Sequence, residues 1–134
     1  MIVVDTNVVA YLFLNGEHSD LSERLLAADP AWAAPRLWRS EFRNVLALYL
    51  RKEILSLDHV LSVLDKAERL LASGEYEVPS ALVMQMVGAS ECSAYDCEFV
   101  ALAQYLGVPL ATQDRLLLRN FPATARTIAD CLHG

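Results

Sequence analysis

The amino-acid sequence predicts an α/β fold in which helices cover a parallel sheet. Short apolar segments alternate with amphipathic ones of helical period, which is typical of parallel strands joined by helices. Two long amphipathic segments follow one another at 36–52 and 57–72, and they predict an inserted helical hairpin. The chain has 134 residues and no visible linker or low-complexity tract, so we expect a single domain over residues 1–134.

The predicted elements alternate along most of the chain. The predicted strands are 2–4, 75–78, 109–111 and 125–128. The predicted helices are 8–14, 19–28, 36–52, 57–72, 80–91, 94–106 and 115–120. Gly74 marks the end of the hairpin, and Gly107 with Pro109 soon after marks a helix end followed by entry into a strand.

The composition excludes several classes of protein. The longest apolar run, 8–14, is far shorter than the roughly 20 residues of a membrane span. The N-terminus has no basic segment and Asp5 interrupts its apolar run, so we expect no signal peptide, no membrane and a cytoplasmic protein. Three cysteines form no CxxC pair, and three scattered histidines give them little support, so we expect reduced thiols and no zinc site.

The balance of apolar and charged residues bears on partners. Apolar residues make up 54% of the chain, which is rich enough to predict a surface for a partner or a second copy. The net charge of -6 argues against a protein that coats DNA through a basic field. An enzyme that binds a phosphodiester through metal ions on its own carboxylates remains compatible with that charge.

Two carboxylates directly follow predicted strands. Asp5 ends the first strand, and Asp114 lies just beyond the third with Thr112 between. Sites in open parallel sheets form beyond the carboxyl ends of the strands. The alternatives are a turn at Asp5, a helix N-cap at Asp114 and a plain strand residue at Thr112.

Glu41 and Asp96 lie within predicted helices. At 100° per residue, Glu41 shares an arc with Leu37 and Val45, so we expect it on the core-facing stripe, where an unpaired carboxylate is costly. The alternative is a salt bridge from Glu41 to a nearby arginine, but the helical wheel places Arg36, Arg39 and Arg43 on the side of the helix opposite Glu41. We therefore predict that these arginines form a solvated face or contact a partner. Asp96 also points inward with Val100, and its alternative is an S-x-x-D capping box with Ser93.

The four carboxylates are expected to point toward one region of the fold, since two of them follow strand ends and two face inward from helices. If they converge, their mutual repulsion raises their pKa values, and a divalent cation relieves it. Carboxylate oxygens are hard ligands that suit Mg²⁺ or Mn²⁺. We therefore expect a metal centre at Asp5, Glu41, Asp96 and Asp114.

Four segments resemble the motifs of the PIN domain family in order and spacing, namely VVDTN, SEFRNVL, YDCEFVALA and PLATQD. The subgroup they are most similar to is the VapC-type toxins of toxin–antitoxin pairs, and the resemblance extends from residue 2 to about 121. It implies a three-layer α/β/α sandwich with a central parallel sheet and a helical clip. It also implies an Mg²⁺- or Mn²⁺-dependent endoribonuclease that hydrolyses RNA phosphodiester bonds, forms a homodimer and is inhibited by a cognate antitoxin protein.

The resemblance also assigns residues. It implies that Asp5 and Asp96 bind metal directly, while Glu41 and Asp114 complete the catalytic shell or act through water. Asn7 and Thr112 match polar positions that support the acidic cluster.

Residues outside the acidic set have weaker assignments. We predict that Arg115 contacts RNA phosphate because it follows Asp114 directly, with a solvated surface arginine as the alternative. Tyr95 is a candidate to stack on a base, with core packing as its commoner role. Other functions compatible with the acidic residues are a structure-specific DNA nuclease, an inactive protein-binding PIN module and a receiver-like domain. A receiver would need a lysine near the late strand, whereas the only lysines are Lys52 and Lys66.

Overall fold

A parallel sheet of five strands forms the centre of the molecule in a computed structural model that describes residues 1–133. The strands are β1 (Ile2–Val4), β2 (Trp32–Pro35), β3 (Glu75–Tyr76), β4 (Leu110–Ala111) and β5 (Ala125–Arg126). Their order across the sheet is β3-β2-β1-β4-β5, and every neighbouring pair is parallel. The predicted α/β fold with a central parallel sheet is confirmed.

Eight helices flank this sheet in the described part of the chain. They are α1 (Thr6–Phe13), α2 (Ser19–Ala28), α3 (Trp38–Arg51), α4 (Leu57–Leu71), α5 (Ser80–Gly88), α6 (Ala94–Leu106), α7 (Arg115–Asn120) and α8 (Ile128–His133). Helix α3 packs on α4, which confirms the predicted hairpin, and α6 packs on β1 and β2 with α5 against it. Among residues 1–133, no helix combines the length and apolar character needed to cross a membrane.

Strand β2 was not predicted. Its sequence, WAAP, contains two alanines and a proline, which are uncommon in strands, so its local pattern is weak. Pairing with β1 on one side and β3 on the other stabilises it instead. Gly74 allows this approach, because a Cβ at that position would collide with the carbonyl oxygen of Trp32.

The C-terminal prediction was partly wrong. The strand predicted at 125–128 ends at Arg126, and Ile128 begins α8, which we did not predict. The Thr127 hydroxyl accepts a hydrogen bond from the Asp130 N–H at 3.1 Å, as the first half of a capping box does. The T-x-x-D spacing of Thr127 and Asp130 was therefore the overlooked sign of this helix.

The order of the strands fixes where a site can form. The chain moves outward from β1 to β2 and β3, then returns to β4 on the other side of β1. Connections from β1 and β4 thus run in opposite directions, which opens a crevice beyond their carboxyl ends. Asp5 and Asp114 are the acidic residues that follow those two strands.

Candidate active site

All four predicted carboxylates border one cleft at the carboxyl edge of the sheet. We call it the acidic cleft, and its volume is about 240 Å³. Its lining consists of Asp5, Thr6, Asn7, Glu41, Asn44, Val45, Asp96 and Asp114. The structure therefore brings together residues that are up to 109 positions apart in sequence, from 5 to 114.

Asp5 is held by the register of the central strands. Val4 pairs with Ala111, so the next residues, Asp5 and Thr112, also lie side by side. The buried Thr112 hydroxyl donates to Asp5 Oδ2 at 2.8 Å and accepts from the Asp114 N–H at 3.0 Å. Asp5 precedes α1 but makes no side-chain capping hydrogen bond there, so its carboxylate faces the cleft rather than serving the helix.

Glu41 lies in the first turn of α3, which begins soon after β2. Its Oε1 accepts a hydrogen bond of 2.7 Å from the Thr6 hydroxyl of α1. The core stripe of α3 consists of Trp38, Phe42 and Leu46, so our prediction that Glu41 shares the core-facing stripe was wrong. Glu41 flanks that stripe and is half-buried, which leaves it accessible to a ligand.

Arg39 does not pair with Glu41, but it is not a solvated residue either. Its guanidinium makes two hydrogen bonds to Glu75, at 2.6 Å from Nε and 2.7 Å from Nη2, and lies 3.2 Å from a Glu68 oxygen. Trp38 Nε1 donates to the same Glu75 carboxylate at 2.8 Å. Arg39 therefore ties α3 to β3, and our prediction of a solvated or partner-contacting face was wrong for this residue.

Asp96 and Asp114 both combine the cleft with a helix start. The Ser93 hydroxyl accepts from the Asp96 N–H at 3.1 Å, so the predicted cap exists at α6 while the Asp96 carboxylate borders the cleft. Asp114 Oδ1 accepts from the N–H groups of Leu116 and Leu117 at 2.9 and 3.0 Å. The capping alternative is thus correct at Asp114, whose carboxylate both caps α7 and borders the cleft. At Asp96 only the Ser93 half of the predicted capping box is present, and it uses the backbone N–H of Asp96 rather than its carboxylate.

The electrostatics of the cleft disfavour three carboxylates in their charged form. Burial raises the pKa of Asp5 from 3.8 to about 6, with further contributions from Asp96 and Glu41, while the Thr112 hydrogen bond opposes the shift. Burial also raises the pKa of Glu41, to which Asp96 adds. Burial raises the pKa of Asp96, and the charge of Asp114 raises it further. A cation bound here would relieve a repulsion that the fold itself creates.

The carboxylates line the cleft without closing on one point. Within residues 1–133, no three His, Cys, Asp or Glu side chains are arranged so that they could hold a metal ion. The metal-binding roles of these carboxylates therefore stay predictions.

Other predicted residues have mixed outcomes. Asn7 lines the cleft and Thr112 contacts Asp5, in keeping with their predicted supporting positions. Arg115 is exposed at the start of α7 and is not part of the cleft lining. Tyr95 is 64% exposed, so core packing was the wrong alternative for it.

Three polar residues near the cleft were overlooked. Thr6 holds Glu41, and Asn44 lines the cleft one turn after Glu41 on α3. The pKa of Glu98 on α6 is raised by burial and by Glu41. The i,i+3 spacing of Glu41 and Asn44 was a readable sign, whereas the Thr6 contact depends on how α1 and α3 pack.

Comparison of the sequence with known proteins finds a family and a curated relative. The sequence matches the PIN domain over residues 2–133. A curated relative, ribonuclease VapC3 from Pyrobaculum aerophilum, is 28% identical over 128 residues, covering 91% of this chain and 95% of the relative.

Two solved structures share the fold. PAE2754 from Pyrobaculum aerophilum has a TM-score of 0.77 at 20% identity, covering 98% of this chain and 86% of that one. A toxin–antitoxin complex from Klebsiella pneumoniae has a TM-score of 0.63 at 16% identity, covering 96% of this chain and 98% of the matched chain.

Proposed function

The chain belongs to the PIN domain family, and from this premise we propose that it is a metal-dependent endoribonuclease and the toxin of a toxin–antitoxin pair. The observation that carries the proposal is the acidic cleft, in which Asp5, Glu41, Asp96 and Asp114 meet at the carboxyl edge of the sheet. The similarity to ribonuclease VapC3 supports RNA as the substrate.

The donor set fits Mg²⁺ or Mn²⁺. All four candidate ligands are carboxylates, the hard oxygen donors that these ions prefer, and no His or Cys borders the cleft in the described chain. Asp5 and Asp96 would bind the ion directly, while Glu41 and Asp114 would complete its shell or act through water. When bound, the ion supplies Lewis-acid stabilisation of charge on the phosphate and lowers the pKa of water.

The chain's own contribution is to hold the carboxylates in place before substrate arrives. Thr112 anchors one oxygen of Asp5, Thr6 anchors one of Glu41, and helix N–H groups anchor one of Asp114. Anchoring one oxygen restricts rotation and leaves the second oxygen to serve as a ligand. Such preorganisation lowers the cost of assembling charge around a phosphodiester.

The test is cleavage of matched RNA and DNA strands of one sequence by the purified protein. We expect cleavage of RNA with Mg²⁺ or Mn²⁺, none in EDTA, and loss of cleavage in Asp96→Asn with the fold retained. Asp20→Asn is the matched control, because Asp20 is an exposed aspartate on α2 away from the cleft. Cleavage of DNA instead would support the structure-specific nuclease, and cleavage of neither strand would support an inactive binding module.

A protein partner forms the second part of the proposal. The similar Klebsiella pneumoniae structure is a toxin–antitoxin complex, which supports a cognate antitoxin for this chain. The hairpin also exposes Leu48, Ile54, Leu57 and Leu61, each at least 50% accessible, which supports a homodimer through an apolar face. Light scattering of the protein without antitoxin should give the mass of a dimer at micromolar concentration, and a monomer would contradict the homodimer.

A further inference from the structure

A second cleft adjoins the acidic one, between α1, the loop after it and α3. We call it the aromatic cleft, and its volume is about 220 Å³. Its lining includes Asn7, Tyr11, Asn15, His18, Val45 and Tyr49. Tyr11 and Tyr49 are half-buried, so their side chains combine a supported position with an accessible surface.

The two clefts are direct neighbours. Asn7 and Val45 line both of them, so the aromatic cleft begins where the acidic cleft ends. Asn7 and Tyr11 are four residues apart on α1, as are Val45 and Tyr49 on α3. Residues so spaced lie one turn further along a helix, about 5.4 Å, which is the scale of one nucleotide step. An RNA strand that leaves the acidic cleft past Asn7 and Val45 therefore reaches Tyr11 and Tyr49 next.

The lining suits an uncharged, planar group. The Tyr11 ring packs against His18 with centroids 4.8 Å apart, which fixes its position beside the cavity. Within the described chain, the lining holds no Arg or Lys, and Glu17 is its carboxylate. A phosphate would be repelled here, whereas a neutral base can stack on tyrosine and form hydrogen bonds with the amides of Asn7 and Asn15.

We propose that the aromatic cleft, bordered by Tyr11 and Tyr49, is a subsite for one unpaired nucleobase of RNA next to the phosphodiester held in the acidic cleft. The inference rests on the proposed ribonuclease function and adds a requirement to it. A base inside a duplex cannot enter the cleft, so the substrate is RNA that is single-stranded beside the cleavage position. A peptide segment is the rival occupant of the aromatic cleft.

The test combines abasic RNA with tyrosine variants. The cleavage position in a single-stranded oligoribonucleotide is mapped first. The two nearest nucleotides on its 5′ side and the two nearest on its 3′ side are then made abasic, one at a time. Cleavage at limiting RNA concentration is compared for the wild type, Tyr11→Leu and Tyr49→Leu. Tyr105→Leu is the matched control, since Tyr105 is 70% exposed on α6 outside both clefts. Melting temperatures of all variants are recorded beside the rates.

We expect one abasic position to slow the wild type between about 5-fold and about 150-fold, the usual range for losing one stacked base. The same abasic change should cost Tyr49→Leu or Tyr11→Leu much less, because the stacking partner is already gone. Tyr105→Leu should respond like the wild type.

Three results would overturn the inference. The first is that the wild type cleaves every abasic RNA at the full rate. The second is that the tyrosine variants slow the cleavage of all RNAs equally. The third is that the variants keep normal RNA cleavage and lose only the binding of a protein partner. The wild-type result needs no variant, so a misfolded variant leaves the test intact. If the wild type cleaves no RNA at all, the proposed function itself fails, and this outcome is distinct from the other three.

Discussion

Replacing Asp5 with asparagine should stabilise the metal-free protein. The structure gives the reason, because burial raises the pKa of Asp5 from 3.8 to about 6. The folded state therefore holds this proton to a higher pH than the unfolded state does. Stability is greatest below the unfolded pKa and falls as the pH rises from about 4 to about 6.

The size of the effect follows from the shift. A difference of about two pKa units corresponds to about 3 kcal/mol of unfolding free energy lost by the wild type above pH 6. The substituted amide would carry no charge, and its oxygen can still accept the Thr112 hydrogen bond. Asp5→Asn should therefore gain up to about 3 kcal/mol at pH 7.5, or roughly 10 °C in melting temperature for a chain of this size.

The assay is urea unfolding in EDTA at pH 7.5 and at pH 4.5, followed by circular dichroism. We expect a gain of about 3 kcal/mol for Asp5→Asn at pH 7.5 and of only about 1 kcal/mol at pH 4.5, because pH 4.5 is less than one unit above the unfolded pKa and most of the wild-type loss occurs at higher pH. Asp20→Asn should stay within about 0.5 kcal/mol of the wild type at both values. A gain that does not change with pH, or a loss at pH 7.5, would refute the reasoning about burial of Asp5.

Three further predictions concern neighbouring contacts. Thr112→Val should cost about 1–3 kcal/mol of unfolding free energy, because two buried hydrogen bonds are lost, and should slow RNA cleavage; unchanged rates would contradict its supporting role. Arg39→Ala should cost about 2–3 kcal/mol by removing the guanidinium that neutralises the 8%-exposed Glu75 carboxylate, which keeps only its hydrogen bond from Trp38. The exposed Arg43→Ala should cost under about 0.5 kcal/mol in the same urea titration. Arg115→Ala should weaken RNA binding and flatten its salt dependence by about one contact, measured by fluorescence anisotropy, and an unchanged salt slope would exclude the contact.

The sequence predicts which carboxylates border one cleft better than it predicts some of the elements around that cleft. Asp5 and Asp114 follow strands that pair directly, so strand-end reasoning alone predicts their meeting. Glu41 was placed in the site for a partly wrong reason, since it lies beside the buried stripe of α3 rather than on it. The error arose because a helical wheel shows which residues share a side but not which neighbours cover that side.

Long-range packing explains what the sequence does not reveal. Strand β2 forms from alanines because β1 and β3 flank it, and no local pattern specifies those partners. The Thr6 contact to Glu41 joins residues 35 positions apart and depends on how α1 packs on α3. The hydrogen bond from Arg39 to Glu75 joins residues 36 positions apart and likewise depends on how α3 packs beside β3.

The affinity for Mn²⁺ measured by calorimetry between pH 5 and pH 8 tests the central claim most directly. Metal must displace the proton that Asp5 retains up to about pH 6, so the wild type should bind more tightly, and release fewer protons, as the pH rises through that value. Asp5→Asn and Asp96→Asn should bind far more weakly across the range, while Asp20→Asn should match the wild type. Equal Mn²⁺ affinity in the wild type and in Asp5→Asn, or no Mn²⁺ binding by the wild type, would contradict a metal centre in the acidic cleft.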